Sequence, residues 1–477
     1  MKQLIDKLFK TKISTSYMFI LFGLSTAMLV GYSSYAWFTV QGVQQYSVVT
    51  GTLNGSIAIG TNSVAINGSG VITYTPSTDD EEVTITVTNS SDRTVKNSIY
   101  YYTLSDSSIK IGYTSASTVP SITGVAVSSG KTLTYKIKIK GAKGKQIKIG
   151  SSMGLVNSNL TLPSGTVAFE LLSEPITIDM LIAKANPESL DYNSATDDQK
   201  NQMWTFPHEA TTQLGVTTDY RYIGADPNNY VKFNDELWRI IGVFDVDDGT
   251  GKLEKRLKII RNESIGDYSW DYSNSDKNEW STAQLQTLLN SGAYYNRTTG
   301  SYYNNSTTAS SVDFTSTGLT SSAKKMIGNA KWYLGGSPTD ENVTAPMFYT
   351  SERGTTVYSE RSTSWIGKVG LIYPSDYGYA TSGDSTTSRV TCLAKEMYHW
   401  DRESACYQND WLFKSSNMWL LSPNSSYSIY VFYVYRSGFV SNIANGYSYG
   451  VWPVVYLKST IKISSGTGSS TDPFVLE

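Results

Sequence analysis

The sequence predicts a multi-domain fold: an N-terminal signal or anchor helix, an all-β sandwich, and then an α+β domain. A basic start precedes an apolar run, short alternating runs fill residues 41–172, and ten of the eleven tryptophans lie beyond residue 200. A chain of 477 residues is long enough for two or three domains with separate cores. The predicted boundaries are 1–40 for the leader, 41–172 for the sandwich, 173–217 for a helix and polar linker, and 218–477 for the last domain.

The composition argues against several classes of function. The net charge of -2 gives no electrostatic footprint for nucleic acid, and only 17% of the residues are charged. Two cysteines and two histidines leave few side chains for a metal site or a histidine-based catalytic set. We therefore predict no catalytic residue, no metal, no cofactor and no enzymatic activity.

Residues 1–40 form a targeting segment. The first 16 residues hold four lysines and one aspartate, and an apolar run follows over residues 17–30. Ser34, Tyr35 and Ala36 fit the cleavage pattern of a secretory signal, so that the mature chain would begin at Trp37. In the alternative, the leader stays uncleaved and residues 13–38 anchor the chain in the membrane. Both alternatives export everything after residue 40.

The segment GLSTAMLVGYSSYAWFTVQG resembles the leader and start of the TasA/camelysin-type proteins, which are biofilm-fibre and surface proteins of Gram-positive bacteria. The resemblance implies export by residues 1–36 to the outside or the surface of a Gram-positive-type bacterium. It also implies self-assembly, through an N-terminal strand given to a neighbouring chain.

Short strand-forming runs separated by Gly, Ser, Asn and Asp clusters follow the leader, which is typical of an antiparallel β-sandwich. In one run Val83, Ile85 and Val87 alternate with threonines, so one side of this strand should be buried and the other exposed to solvent. The predicted strands cover residues 56–60, 71–74, 83–89, 97–104, 124–127, 131–140, 146–150 and 167–172.

Residues 131–149 contain seven lysines and no acid. The pattern favours a solvated edge strand, whose lysines would block edge-to-edge pairing with another chain. The alternative is contact with an anionic partner such as a wall polymer. Neither alternative involves chemistry, so the sandwich is expected to be a stalk or assembly module.

The connector and the last domain combine helices with strands. Residues 176–185 predict a short helix before Asn186-Pro187, and a polar linker follows. A second helix is predicted from Ser281 as N-cap, with Gln284 at the capping-box position, to about residue 290. Further predictions are a helix over residues 322–333 and strands over residues 220–224, 237–244, 257–261, 365–373 and 461–463, with more strands in residues 418–457.

The segment 424–450 has an unusual composition. Of its 27 residues, 15 are Tyr, Ser or Asn, and Arg436 is its only charged side chain. Such a mixture is typical of binding loops, because Tyr supplies stiff contact area and Ser, Asn and Gly supply adaptable hydrogen bonding. The alternative is a tyrosine-rich antiparallel sheet with polar turns.

The segments YVKFNDELWRIIGVF, GKVGLIYPSDYGYAT, NDWLF and MWLLSPN resemble the C-terminal domain of surface proteins from gut-dwelling Firmicutes. These proteins are related to the formylglycine-generating-enzyme branch of the C-type lectin fold. In that fold, the segment before the final core strand is a display surface. In some members, diversity-generating retroelements rewrite it, and the Asn, Tyr, Ser, Ile and Phe content of residues 424–449 is what such rewriting would leave.

Together, composition and resemblance predict an adhesin-like surface protein that binds an extracellular protein or glycan. The alternative is a structural fibre or biofilm-matrix subunit. The side chains expected to be exposed and to bind the ligand are Asn424, Ser426, Tyr427, Tyr430, Phe432, Tyr433, Tyr435, Arg436, Ser441, Asn442, Asn445, Tyr447 and Tyr449.

Cys392 and Cys406 lie in the exported part of the chain and predict a disulfide that closes a 15-residue loop. The paired cysteines of the formylglycine-generating enzymes lie much closer together in sequence, which disfavours the enzymatic alternative. Calcium-dependent sugar binding is disfavoured as well, because the EPN-type and WND-type motifs of animal lectins are absent. Asp376 and Asp384 are predicted to be turn or cap residues.

Overall fold

A computed structural model describes residues 53–106, 108–113, 123–172, 175–272 and 277–477. The leader, its cleavage site after Ala36 and the anchor over residues 13–38 lie outside the described residues, so these predictions stay open. Within the described ranges, no helix is long and apolar enough to cross a bilayer. The chain divides into two compact units, Met1–Glu174 and Pro175–Glu477.

The described part of the first unit is all β. Its strands follow the order β10-β5-β9-β3-β2-β1-β4-β8-β6-β11, with β7 paired to β5. One core cluster takes residues from strands throughout this order, among them Ile57, Ile85, Ile99 and Ile149. The strands are β1 Asn54–Ile59, β2 Asn62–Asn67, β3 Ser69–Tyr74, β4 Asp80–Asn89, β5 Val95–Tyr102, β6 Lys110–Tyr113, β7 Val125–Val127, β8 Thr132–Lys140, β9 Ile147–Leu155, β10 Thr166–Ala168 and β11 Glu170–Leu171.

Two neighbouring strands show how the sequence produces this sheet. Val83, Ile85 and Val87 on β4 are buried, as their alternation predicts. The edge-strand prediction for the lysine-rich run is wrong, because β8 lies between β4 and β6. Lys136 pairs with Glu82 at 3.0 Å across the β4–β8 ladder, so an acid on the neighbouring strand balances this lysine.

The second unit mixes short helices with several sheets. The helices are α1 Ile178–Ala183, α2 Asp197–Lys200, α3 Gln284–Asn290, α4 Ala293–Asn296, α5 Ser321–Met326, α6 Ala345–Glu352, α7 Pro374–Tyr379, α8 Arg389–Ala394 and α9 Ser404–Tyr407, with 3-10 turns at Tyr192–Ser194, Trp280–Thr282 and Met397–Arg402.

The strands of the second unit form one large sheet, a five-stranded sheet and two ribbons. The large sheet has the order β22-β27-β16-β15-β14-β29-β28, and β13 joins β12 to β15. The ribbons pair β18 with β19 and β20 with β21. The strands are β12 Trp204–His208, β13 Thr217–Arg221, β14 Tyr230–Phe233, β15 Glu236–Asp247, β16 Leu253–Arg261, β17 Asp267–Ser269, β18 Thr299–Tyr302, β19 Ser310–Asp313, β20 Ala330–Tyr333, β21 Ser364–Gly367, β22 Val369–Gly370, β23 Met418–Pro423, β24 Tyr430–Val434, β25 Val440–Ala444, β26 Ser448–Gly450, β27 Val454–Tyr456, β28 Ile463–Ser465 and β29 Phe474–Leu476.

Residues 173–217 were expected to be a helix and a polar linker, but their described part belongs to the second unit. The helix is present as α1, with Thr177 as its N-cap. Beyond it, β12 adds to the large sheet through β13, and Trp204 and Phe206 are buried there. The sequence did not predict this strand, because the polar composition of residues 188–202, which precede it, is typical of a linker.

Two helix predictions need correction. The helix placed after Ser281 begins only at Gln284, and its N-cap is Ala283, because a 3-10 turn comes first. The helix placed over residues 322–333 ends at Met326, and β20 follows. Pairing of β20 with β21 buries Trp332, and this tertiary contact outweighs the helical spacing of a few apolar residues.

Beside the hydrophobic core of the second unit lies a buried ionic cluster. Arg221 Nη1 donates to Asp376 Oδ1 at 2.9 Å, and Arg221 Nη2 donates to Asp219 Oδ2 at 2.7 Å. Lys258 forms an ion pair with Asp376, and His208 Nε2 lies 3.0 Å from Asp219 Oδ2. All five side chains are buried, so every charge depends on its partners for compensation.

Candidate functional site

The predicted binding residues lie on or beside the five-stranded sheet, whose order is β17-β26-β23-β24-β25. Successive side chains of a strand point to opposite sides. On β24, Phe432 therefore points away from Tyr433. Phe432 is fully buried and packs edge-to-face against Phe348 at 5.1 Å, so this side of the sheet belongs to the core.

On the other side, aromatic rings form a continuous series that we call the aromatic row, defined as Tyr447, Tyr449, Trp419, Tyr433 and Tyr435. The ring centroid of Tyr449 lies 4.9 Å from the ring centroid of Trp419 and 4.9 Å from that of Tyr433. Tyr447 continues the row at 6.2 Å from Tyr449, and Tyr435 continues it at 6.3 Å from Tyr433. The middle of the row is therefore locked by ring-to-ring contacts.

Exposure rises from the middle of the row to one end. Trp419 is buried, and its indole N–H donates to the Tyr268 carbonyl at 2.8 Å. Tyr433 is only 7% exposed, whereas Tyr447 is 48% exposed. Burial raises the pKa values of the Tyr433 and Tyr449 phenols, so both remain neutral near pH 7. The aromatic row thus presents uncharged rings to solvent at the Tyr447 end, and buried rings in its middle hold them in place.

A second exposed pair lies in the loop between β23 and β24. Tyr427 is 55% exposed and stacks on Tyr430 with ring centroids 5.0 Å apart. The Asn278 side-chain amide lies 2.8 to 2.9 Å from the carbonyl oxygens of Asn424, Tyr427 and Tyr430. Asn424 Oδ1 accepts from the backbone N–H groups of Ser426 and Tyr427. Two asparagines therefore hold this loop in shape.

The expectation that all predicted binding side chains are exposed is wrong for four of them. Phe432 and Tyr433 are buried because both sides of β24 are covered by neighbouring rings. Asn424 and Asn445 are buried because each satisfies loop backbone groups, and Asn445 Nδ2 donates to the Lys277 carbonyl at 2.7 Å. These four residues therefore support the surface from its buried side and are not available to contact a ligand.

The remaining predicted side chains are at least partly accessible. Arg436 is exposed, and its guanidinium carbon lies 5.6 Å from the Tyr435 ring centroid. Ser441 donates to Asp340 Oδ2 at 2.6 Å. The exposed side chains are Ser426, Tyr427, Arg436 and Tyr447, and the half-buried ones are Tyr430, Tyr435, Ser441, Asn442 and Tyr449.

Sequence reasoning missed two exposed tyrosines near the Tyr447 end. Tyr272 is exposed beside Gly446, where an added Cβ would lie 3.0 Å from its ring. Tyr303 is exposed and precedes Asn304, whose Oδ1 accepts from Ser448. Both tyrosines lie in stretches rich in Tyr, Ser and Asn, at residues 266–276 and 294–306. The compositional criterion that predicted a binding surface at residues 424–450 would also have selected these two stretches.

The predicted disulfide between Cys392 and Cys406 is confirmed, and it links α8 to α9. Next to it, the Tyr407 ring packs on Gly438, where an added Cβ would lie 2.5 Å from the ring. Gly438 has a φ of 101°, which only glycine adopts readily. The disulfide segment thus supports the turn that carries Tyr435 and Arg436.

The two predicted cap residues have different roles. Asp384 Oδ1 accepts from the backbone N–H groups of Thr386 and Thr387, which confirms a turn role. Asp376 accepts from the Tyr373 N–H but also joins the buried ionic cluster. In the part of the chain that the structure describes, no three His, Cys, Asp or Glu side chains are grouped to hold a metal ion.

No family model, curated protein or solved structure matches this chain. The resemblances to TasA/camelysin-type proteins and to the C-type lectin fold therefore stay predictions. Function must be inferred from the geometry of the chain's own residues.

Proposed function

We propose that this chain is an extracellular or surface-displayed protein that binds a protein or glycan through the aromatic row and the Tyr427–Tyr430 pair. The observation that carries the proposal is that the exposed ring of the aromatic row and the exposed ring of the pair each stack on a second ring. Tyr447 stacks on Tyr449, and Tyr427 stacks on Tyr430. Rings fixed before binding lose little conformational entropy on contact with a ligand.

The chemistry of the surface supports an adhesin. The exposed groups are phenols, hydroxyls and amides, with Arg436 at one end. Tyr and Arg are enriched at binding hot spots, and a neutral aromatic surface suits both protein and sugar ligands. The proposal includes a β-sandwich base and a C-type-lectin-like head. It also includes export by the leader and genetic diversification of residues 424–449.

We expect the double variant Tyr427→Ser/Tyr447→Ser to lose at least about 30-fold in affinity, because two hot-spot rings at about 1–2 kcal/mol each are removed. The measurement is binding of the full, fluorescently labelled chain to a glycan array and to intact cells. The control is Val216→Ser/Val390→Ser, since both valines are 74% exposed and lie outside the row and the pair.

Equal loss in the control would contradict a specific binding surface. If the tyrosine variant keeps its binding to cells and glycans but no longer forms fibres by electron microscopy, the chain is a fibre subunit and not an adhesin. Circular dichroism of both variants checks that the fold is intact, which is expected because neither tyrosine contributes its ring to the buried core.

A further inference from the structure

A separate polar cavity of about 580 Å³ lies in the second unit. Its walls come from four parts of the chain, with Arg239, Glu263, Lys414 and Trp452 as one representative of each. This volume lies in the range of small-molecule sites. None of the residues predicted to bind ligand lines the cavity, so the cavity requires an explanation of its own.

One wall is fixed in place. The Arg239 guanidinium lies between two rings, with its central carbon 4.1 Å from the Tyr230 centroid and 4.6 Å from the Trp411 centroid. Its Nε donates to Asn229 Oδ1 at 2.7 Å, and its Nη2 donates to Asp226 Oδ1 at 2.9 Å. Because its hydrogen bonds hold it, Arg239 provides a rigid positive wall.

Three polar groups of the lining lack a hydrogen-bond partner within the described residues. Lys414 Nζ makes no ion pair and no hydrogen bond there, and it lies 5.9 Å from the Trp411 ring centroid. The indole N–H of Trp452 and Asp410 Oδ2 are buried without a partner. The two buried groups are costly without a partner, and Lys414 is half-buried beside them, so a ligand that pairs all three groups is favoured.

All three groups can donate a hydrogen bond. The ammonium and the indole N–H can only donate. Asp410 Oδ1 already accepts from the Leu412 N–H at 2.9 Å. Burial raises the pKa of the Asp410 carboxyl well above its ordinary value, which favours the protonated form, in which Oδ2 can donate. Burial also lowers the pKa of Lys414 to about 8, which leaves it mostly charged at neutral pH. The part of the cavity lined by Lys414, Trp452 and Asp410 is therefore suited to bind the oxygen atoms of an anion.

The outer lining has the opposite character. Glu263 and Asp267 are exposed, and their carboxylates accept hydrogen bonds and repel a second negative charge. The amide groups of Asn262 and Gln408 also line the cavity. A ligand for this arrangement has one anionic group to place inward and hydroxyl groups to donate outward.

We propose that this cavity binds a sugar acid, that is, a hydroxylated monocarboxylate, with its carboxylate toward Lys414 and Trp452 and its hydroxyls toward Glu263 and Asp267. The sugar acid is either free or the end of a glycan. This site does not depend on the aromatic row, and the two can be tested separately.

The test is isothermal titration calorimetry of the full chain with D-glucuronate, compared with glucose, acetate and inorganic phosphate. We expect glucuronate to bind in the millimolar range or tighter and the other three to bind more weakly. Glucose lacks the anion, acetate lacks the hydroxyls, and phosphate carries a second charge. An oligosaccharide that ends in glucuronate distinguishes the sources: tighter binding than the monosaccharide indicates a glycan end, and weaker or equal binding indicates a free sugar acid.

Variants locate the site. Lys414→Met should weaken glucuronate binding by about 10- to 100-fold, as expected for a lost charge-assisted hydrogen bond, and Trp452→Phe should weaken it less. The matched control is Lys331→Met, since Lys331 is also half-buried and lies 5.3 Å from a tyrosine ring centroid but does not line the cavity.

Several results would overturn the proposal. These are no glucuronate binding by the wild type, acetate or phosphate binding as tightly as glucuronate, and unchanged binding by Lys414→Met. An equal loss in Lys331→Met would also overturn it. Near-ultraviolet circular dichroism shows whether each variant is folded, and Trp452→Phe provides a second variant that changes no charge.

Discussion

Replacing Asp376 with alanine is expected to destabilise the second unit by about 3–5 kcal/mol, because it leaves buried cations without compensation. Asp376 accepts from Arg221 at 2.9 Å and pairs with Lys258, and all three side chains are buried. Burial lowers the pKa of Lys258 to about 8, and Asp376 is the main group that opposes this shift. Without Asp376, Lys258 must lose its proton or stay buried as an unpaired charge.

The measurement is urea unfolding of the full chain, followed by tryptophan fluorescence. This signal reports on the second unit, because ten of the eleven tryptophans lie beyond residue 200. The control is Asp198→Ala, which removes an exposed carboxylate from α2 and should change stability by no more than about 0.5 kcal/mol.

A double variant tests whether the cluster acts as a unit. The double variant Asp376→Asn/Lys258→Met removes both charges together. Its loss in free energy of unfolding should be smaller than the summed losses of the single variants Asp376→Asn and Lys258→Met. Strict additivity would show that the two side chains contribute independently, contrary to the contacts described above.

Removing the disulfide with Cys392→Ala/Cys406→Ala is expected to lower the free energy of unfolding by about 3 kcal/mol. This is the chain-entropy cost of opening a loop of about 15 residues in the unfolded state. We also expect faster hydrogen exchange at residues 435–439, because Tyr407 follows Cys406 and packs on Gly438. Exchange in the β15–β16 ladder should change only through the global loss of stability.

The wild type in the presence of a reductant is the matched comparison. Reduction should reproduce the stability of the double variant, and the same reductant should leave the double variant unaffected. If mass spectrometry shows full reduction while the unfolding midpoint stays unchanged, the disulfide does not contribute to the stability of the second unit.

The sequence predicted most strands of the first unit and the beginning of the second unit less well. Alternation on β4 is a local pattern, since its period of two follows from backbone geometry. By contrast, β12 is short and follows a polar stretch, and its place in the sheet depends on pairing with β13. The helix over residues 322–333 failed for a similar reason, because β20 exists through its pairing with β21.

For the site, composition identified the right stretch but not the direction of each side chain. Tyr433 and Tyr447 are the same residue type in the same stretch, yet Tyr433 is 7% exposed and Tyr447 is 48% exposed. Their difference comes from their neighbours, because Tyr433 has Trp419 and Tyr449 against its ring. The polar cavity was not predicted at all, since its lining residues come from distant parts of the chain.

The sequence by itself determined that the chain is rich in β-structure and divided into units, that Cys392 pairs with Cys406, and that a tyrosine-rich segment precedes the last strands. These features follow from local periodicity, composition and the small number of cysteines. The tertiary structure alone decided which tyrosines face solvent, which charges meet in the core and where a cavity remains. Such properties depend on contacts between residues far apart in the chain, and no local pattern encodes those contacts.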